Sequence, residues 1–185
     1  MMLSIVAAVL LSAPQTLELD PAAPQTVTYA ITHPLHHVEG TTHKLKGAGR
    51  ILPDGTVQAM VEAPAASFDS GNSNRDEHMR ETVEAERFPT VVVKAIAKPP
   101  VPTSYPATVE TQASLEVTLH GVAQRVTAPL KVSYASPTRI TTVGHFTVSL
   151  DGFKVKRPSL LFTPIADACA IDIALSWIVG GHAAP

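Results

Sequence analysis

The sequence reads as an antiparallel all-β domain interrupted by one short helix, and three observations carry that reading. Apolar residues recur at every second position in run after run, the period expected of strands buried on one face and wet on the other. Turn-forming residues separate these runs at short intervals. Only one stretch, between Phe68 and Phe88, carries the signals of a helix start and stop. Counting the runs gives about eight strands, a number that fits a sandwich or an up-and-down barrel equally well.

The runs follow in order. Val27, Tyr29 and Ile31 alternate with Thr28, Ala30 and Thr32. Thr41 to Leu52 is a second strand, with Gly47 and Gly49 at positions that mark a bulge or sharp coil. Asp54-Gly55 forms a hairpin turn into Val57, Ala59 and Val61. The helix follows Ser70-Gly71-Asn72-Ser73, with Asn74 and Glu77 as a capping box, and runs from Arg75 to Glu86. Asp76 with Arg80, and Arg80 with Glu84, have the spacing of helical ion pairs, and Pro89 ends the element. Thr90 to Ala97 is a strand, followed by a surface loop dense in proline from Pro99 to Pro106. Leu115, Val117 and Leu119 turn at Gly121 into Val126, Ala128, Leu130 and Val132. Phe146, Val148 and Leu150 mark the next strand, and Ile171, Ile173, Leu175 and Trp177 the last.

Length and composition bound the possibilities. With 185 residues, 45% of them hydrophobic, the chain builds one core and one domain, taken here as residues 26–179 with a tail at 180–185. Residues 1–13 form an uncharged apolar run of secretory type, too short to span a bilayer, although Leu11-x-Ala13 before Pro14 makes a poor cleavage site. Residues 14–25, with three prolines, read as an extended linker. The expected location is therefore periplasmic or secreted, without a stable transmembrane anchor. A net charge of −2 and the absence of a basic run argue against nucleic acid. Cys169 is alone, so no intrachain disulfide forms.

The helical stretch also carries a motif. Ser70-Gly71-Asn72, Arg75-Asp76, His78-Met79-Arg80 and Phe88-Pro89 resemble the signature of the YceI-like family of lipocalin-like, periplasmic polyisoprenoid-binding proteins. Leu115 to Val122 and Phe153 to Leu161 fit the same pattern in order, so the resemblance runs from about Val27 to Ile178. It departs at the first hairpin, where Ile31 to Gly40 is shortened and richer in histidine than the family pattern. The resemblance implies a closed antiparallel barrel with the helix near one mouth.

Such a barrel either fills with its own side chains or holds a guest. The small inward residues favour an elongated apolar cavity for an isoprenoid-like or other long-chain amphiphilic lipid, and no other cofactor is expected. The candidate lining is Tyr29, Val91, Val93, Leu115, Val117, Leu119, Phe146, Val148, Leu150, Leu160, Phe162, Ile173, Leu175 and Trp177. For each of these, ordinary core packing is the competing role. Arg75, Asp76, His78 and Arg157 are candidates for a head group at the mouth, or for fastening the helix and loops to the rim. A rival reading gives His33, His36, His37 and His43 to a metal ion or haem, with a hairpin bringing His37 and His43 together. A third is a packed barrel that binds a protein partner. No nucleophile and base occur in a motif with a known mechanism, so catalysis is not expected. His120 and His145 fall on the outward period and are expected to be solvated. The oligomeric state is left open, a homodimer being one option.

Overall fold

The computed structural model describes residues 13–33, 36–160 and 163–182. Its strands are β1 (Gln15–Leu19), β2 (Thr26–His33), β3 (His36–Thr42), β4 (Lys46–Ile51), β5 (Val57–Pro64), β6 (Thr90–Ala97), β7 (Ala107–Leu119), β8 (Val122–Ser136) and β9 (Arg139–Ser149). Two-residue strands β10 (Ser159–Leu160) and β11 (Thr163–Pro164) precede β12 (Ala168–His182). The helix α1 (Ser73–Thr82) lies between β5 and β6.

The main sheet runs β1-β4-β5-β6-β7-β8-β9-β12, and β1 pairs with β12, so eight strands close into an antiparallel barrel. The β2–β3 hairpin continues the wall on β12, where Cys169 to Ala174 pair with Ile31 to Thr26. Closure leaves no exposed edge around the ring, which matters for strands this apolar. The long β7–β8 hairpin keeps the alternation read from the sequence: Ala113, Leu115 and Val117 face inward on β7 and Ala128, Leu130 and Val132 on β8, with Ala113 opposite Ala128.

The segment at residues 14–25 is not a linker. Leu17 is buried, Gln15 to Glu18 pair with Ile51 to Ala48, and Leu17 to Leu19 pair with Val179 to Trp177. Thr16-Leu17-Glu18-Leu19 already alternates, but the flanking prolines mask the signal. Pro21 and Pro24 instead sit in a bend where Gln25 Nε2 donates to the carbonyls of Asp20 (2.9 Å) and Ser176 (3.2 Å). Arg139 is tied to Asp20 in the same place. Likewise residues 180–182 are not a tail but the end of β12, with His182 opposite Gln15.

The helix starts two residues earlier and stops four residues earlier than expected. Asn72, not Asn74, is the cap, accepting from the amides of Asn74 and Arg75 at 3.1 Å each. The end is a Schellman motif: Ala85 N–H donates to Arg80 O (2.8 Å), Glu84 N–H donates to Glu81 O (3.0 Å), and Glu84 has φ 48°. Glutamate occupies the left-handed position where glycine is usual, so nothing in the sequence announced the stop. Glu84 therefore lies outside the helix and pairs with His120 and Arg87 rather than with Arg80.

Candidate functional site

The barrel interior is divided. At the α1 end it is filled: Tyr29, Val117, Val148, Leu150, Phe153 and Val155 are all buried, and the rings of Tyr29 and Phe68 meet at 5.6 Å. Toward the other end the strands carry smaller inward residues, and an apolar cavity of about 240 Å³ remains. Val57, Ala59, Val61, Ala95, Ile171 and Ile173 point into the barrel yet stay only half-buried, because the lumen beside them is not filled by side chains.

Of the residues expected to line a cavity, Val93, Leu115, Phe146, Ile173, Leu175 and Trp177 do so. Tyr29, Val91, Val117, Leu119, Val148 and Leu150 do not. Tyr29, Val117, Val148 and Leu150 belong to the packed end, Leu119 is partly buried against it, and Val91 is half-buried at the start of β6. The reason is longitudinal position: alternation assigns the inward face but not the level along the barrel. Phe162 and the side chain of Leu160 lie outside the described residues.

The mouth is formed by the turns at the end away from α1. Gly55 lines it from the β4–β5 turn, Pro99, Val101, Pro102 and Tyr105 from the β6–β7 loop, Pro137 from the β8–β9 turn, and Gln15 from the start of β1. Tyr105 leans on Tyr134, ring centroids 6.4 Å apart, and burial raises the pKa of the Tyr134 phenol. Among the described residues, no Asp, Glu, Lys, Arg or His lines the cavity. The polar groups available there are the hydroxyls of Thr111, Thr142, Tyr105 and Tyr134 and the Gln15 amide. Sequence reading missed this rim because its residues come from three separate connections and the start of β1, which only closure of the ring brings together.

The expected head-group residues are at the opposite end. The Asp76 carboxylate accepts from Ser70 N–H (2.9 Å) and from the Ser70 hydroxyl (2.6 Å), and that hydroxyl bond chiefly holds its pKa below the usual carboxylate range. Arg75 donates to Ser70 O at 2.9 Å. The pair thus fastens the first turn of α1 to the chain that leads into it. His78 is exposed beside Glu81. Arg157 makes a two-pronged contact with Asp151 (2.7 and 2.9 Å) and donates to Ile165 O, closing the long β9–β12 connection. None of the four lines the cavity.

The hairpin does not unite His37 and His43. His37 lies near the start of β3 and His43 just past its end, about 20 Å apart along extended chain. His37 contacts Glu39 at 2.9 Å, and His43 Nδ1 lies 2.8 Å from Gln25 O. The register places His33 opposite His36, whose side chains lie outside the described residues. Among the described residues no group of three or more His, Cys, Asp or Glu is placed to hold a metal ion.

His120, expected in solvent, is instead a joint. It and Gly121 form the two-residue β7–β8 turn with φ 53° and 71°, as a type I′ hairpin requires. Its Nδ1 lies 3.0 Å from Phe153 O, its Nε2 2.9 Å from Glu84, and its ring packs against Phe88. The His120 bond is the main cause lowering the Glu84 pKa. His145 is on the outer wall as expected, 2.8 Å from Asp172.

A closed eight-stranded barrel, packed at one end and hollow and uncharged at the other, defines the class of the lipocalin-like barrels. The chain belongs to the YceI-like family, whose domain profile matches residues 17–177. Among solved structures it is similar to a polyisoprenoid-binding domain from Saccharophagus degradans, with 16% identity, 88% of this chain and 98% of that one covered, and a TM-score of 0.66. It is similar also to BcnA of Burkholderia cenocepacia, with 18% identity, 85% and 98% covered, and a TM-score of 0.69. A YceI protein from Campylobacter jejuni aligns at 13% identity over 78% and 86%, with a TM-score of 0.60. At these identities the likeness is one of fold. No curated protein matches the sequence.

Proposed function

We propose that this protein is an exported, non-catalytic carrier that holds the apolar end of an isoprenoid-like or other long-chain amphiphile in the barrel lumen. The observation that carries the reading is the uncharged cavity between Trp177, Phe146, Leu115 and the valines and alanines of β5 and β6. The fold it shares with the polyisoprenoid-binding domain of Saccharophagus degradans supports it. The apolar run at residues 1–13 supports export.

The cavity volume of about 240 Å³ corresponds to roughly eight water-sized groups. A chain would therefore lodge one end and leave the remainder at the mouth. Burying that many methylenes contributes about 6 kcal/mol before the cost of immobilising the chain. That is enough to hold a tail and too little to discriminate sharply among tails. The head group would stay near Tyr105 and Tyr134, not near α1. The test is purification from cells, solvent extraction and mass spectrometry, followed by titration with a short prenyl alcohol read through Trp177, the one tryptophan of the chain. A co-purifying lipid and a saturable change in emission are expected. No extractable lipid together with a flat titration would remove the reading.

A further inference from the structure

Trp177 puts a hydrogen-bond donor inside the apolar lumen. The residue is 5% exposed and lines the cavity, and its indole Nε1–H, which can donate but not accept, meets no acceptor among the described residues. A buried tryptophan ordinarily finds a partner for this group, because leaving it dry incurs the full cost of desolvation. Among the described residues, every side-chain nitrogen or oxygen that is sealed off from solvent has a hydrogen-bond partner. The Trp177 nitrogen has none and is therefore not sealed. On a residue this buried, the surface it keeps is part of the cavity wall.

The register gathers further polar groups beside it. Trp177 of β12 stands opposite Ile140 of β9, and Tyr134 of β8 stands opposite the same isoleucine from the other side. Thr142, the next inward residue on β9, is opposite Leu175. Tyr134 and Thr142 line the same cavity, and their hydroxyls make no hydrogen bond to a described residue either. Inward side chains on adjacent strands are close neighbours, so one small polar group can meet several of them. Their surroundings are apolar: Leu175, Ile140 and Val132 lie between them, and among the described residues no charged side chain lines the lumen. An ionised head group drawn to this level would lose its hydration with nothing to offset the loss.

From these features we infer that Trp177 determines which guests the lumen accepts, by donating its N–H to the oxygen of an uncharged head group held just inside the mouth. The oxygen is a hydroxyl, ether or carbonyl, and Thr142 and Tyr134 are its further hydrogen-bonding neighbours. The apolar tail then runs past Ile173 and Phe146, which lie deeper on the same two strands, toward the packed end. This inference deepens the carrier reading and rests on it. It disfavours two kinds of guest: a pure hydrocarbon leaves the N–H unpaired, and a phosphorylated amphiphile brings charge to an uncharged wall.

The test titrates the full chain with geraniol, with myrcene as a hydrocarbon of the same size, and with geranyl phosphate. Trp177 is the one tryptophan, so the isotope-labelled protein gives a single indole N–H signal in its NMR spectrum. Geraniol is expected to move that proton downfield as the bond forms, and myrcene is expected not to. This arm needs no variant. Calorimetry then compares the unaltered chain with Trp177→Phe, in which the ratio of geraniol to myrcene affinity is expected to fall about tenfold. Lost packing alone would weaken both guests alike and leave the ratio where it was. Geranyl phosphate is expected to bind more weakly than geraniol. An equal downfield shift with myrcene, an unchanged affinity ratio in Trp177→Phe, or geranyl phosphate binding as tightly as geraniol would each overturn this inference and leave the carrier reading standing, since the guests still bind. No saturable binding of any of the three would instead remove the carrier reading, and this inference with it.

Discussion

Tyr29 shows how one side chain sets the level at which the lumen is blocked. It stands opposite Gly40 in the β2–β3 register, and a Cβ on Gly40 would fall on its ring. Gly40→Ala would push the ring off its place against Phe68 and should cost about 1–3 kcal/mol, measurable as a lower urea midpoint with unchanged slope. Tyr29 and Cys169 also make the fold sensitive to alkali. Burial raises both acids to about 12, from ordinary values of 10.0 and 9.0. The unfolded chain gives up these protons first, so stability is intact below about pH 9 and falls as pH rises toward 12. Urea melts across that range should show the decline, and in Cys169→Ala its onset near pH 9 should be shallower. The carboxylates run the other way. Asp54 and Asp167 are held low chiefly by backbone hydrogen bonds, from Thr56 and Asp151, and Asp76 by the Ser70 hydroxyl, so their contribution is lost as pH falls below the ordinary 3.8.

Among the elements, α1 is the clearest case of a helix held by its ends rather than by an apolar stripe. Of its ten residues only Asp76 is buried, and Met79 alone packs against the core. Its stability therefore depends on the Asn72 cap, the Ser70–Asp76 bonds and the Schellman end. Asn72→Ala should lower stability by about 1 kcal/mol, seen as a reduced thermal midpoint. Hydrogen exchange should locate the loosening in the amides of Asn74 and Arg75 and leave β7 and β8 protected. The existence of this helix was legible from the turn chemistry and from Pro89. Its limits were not, since Asn72 and Asn74 are both plausible caps by composition and only the backbone path chooses between them.

At the scale of the whole molecule, function follows from uneven filling of one tube. At the α1 end, Tyr29 of β2 and Phe153 and Val155 of the β9–β12 connection turn inward, while β5 and β6 bring Ala59, Ala95 and Ala97. Ala95→Phe would project a ring into the lumen between Ala59 and Leu115, its register neighbours. Prenyl alcohol binding should fall at least about tenfold with little loss of thermal stability, because the ring enters existing space instead of displacing packed atoms. A variant that binds as before would show that the guest sits elsewhere.

The amino-acid sequence by itself determined the strand alternation, the Asp54-Gly55 turn, a turn at Gly121, the helix after Ser70, and the signature that marks the family. These are local matters, decided by side-chain period, backbone freedom and capping. Only the tertiary structure decided that Gln15 to Leu19 and the chain's last strand complete the ring, since that pairing joins residues more than 150 positions apart and leaves no local trace. It alone also decided which end is hollow. Every inward residue obeys the same period of two, and whether its neighbours across the lumen fill the space or leave it open depends on contacts from all eight strands at once.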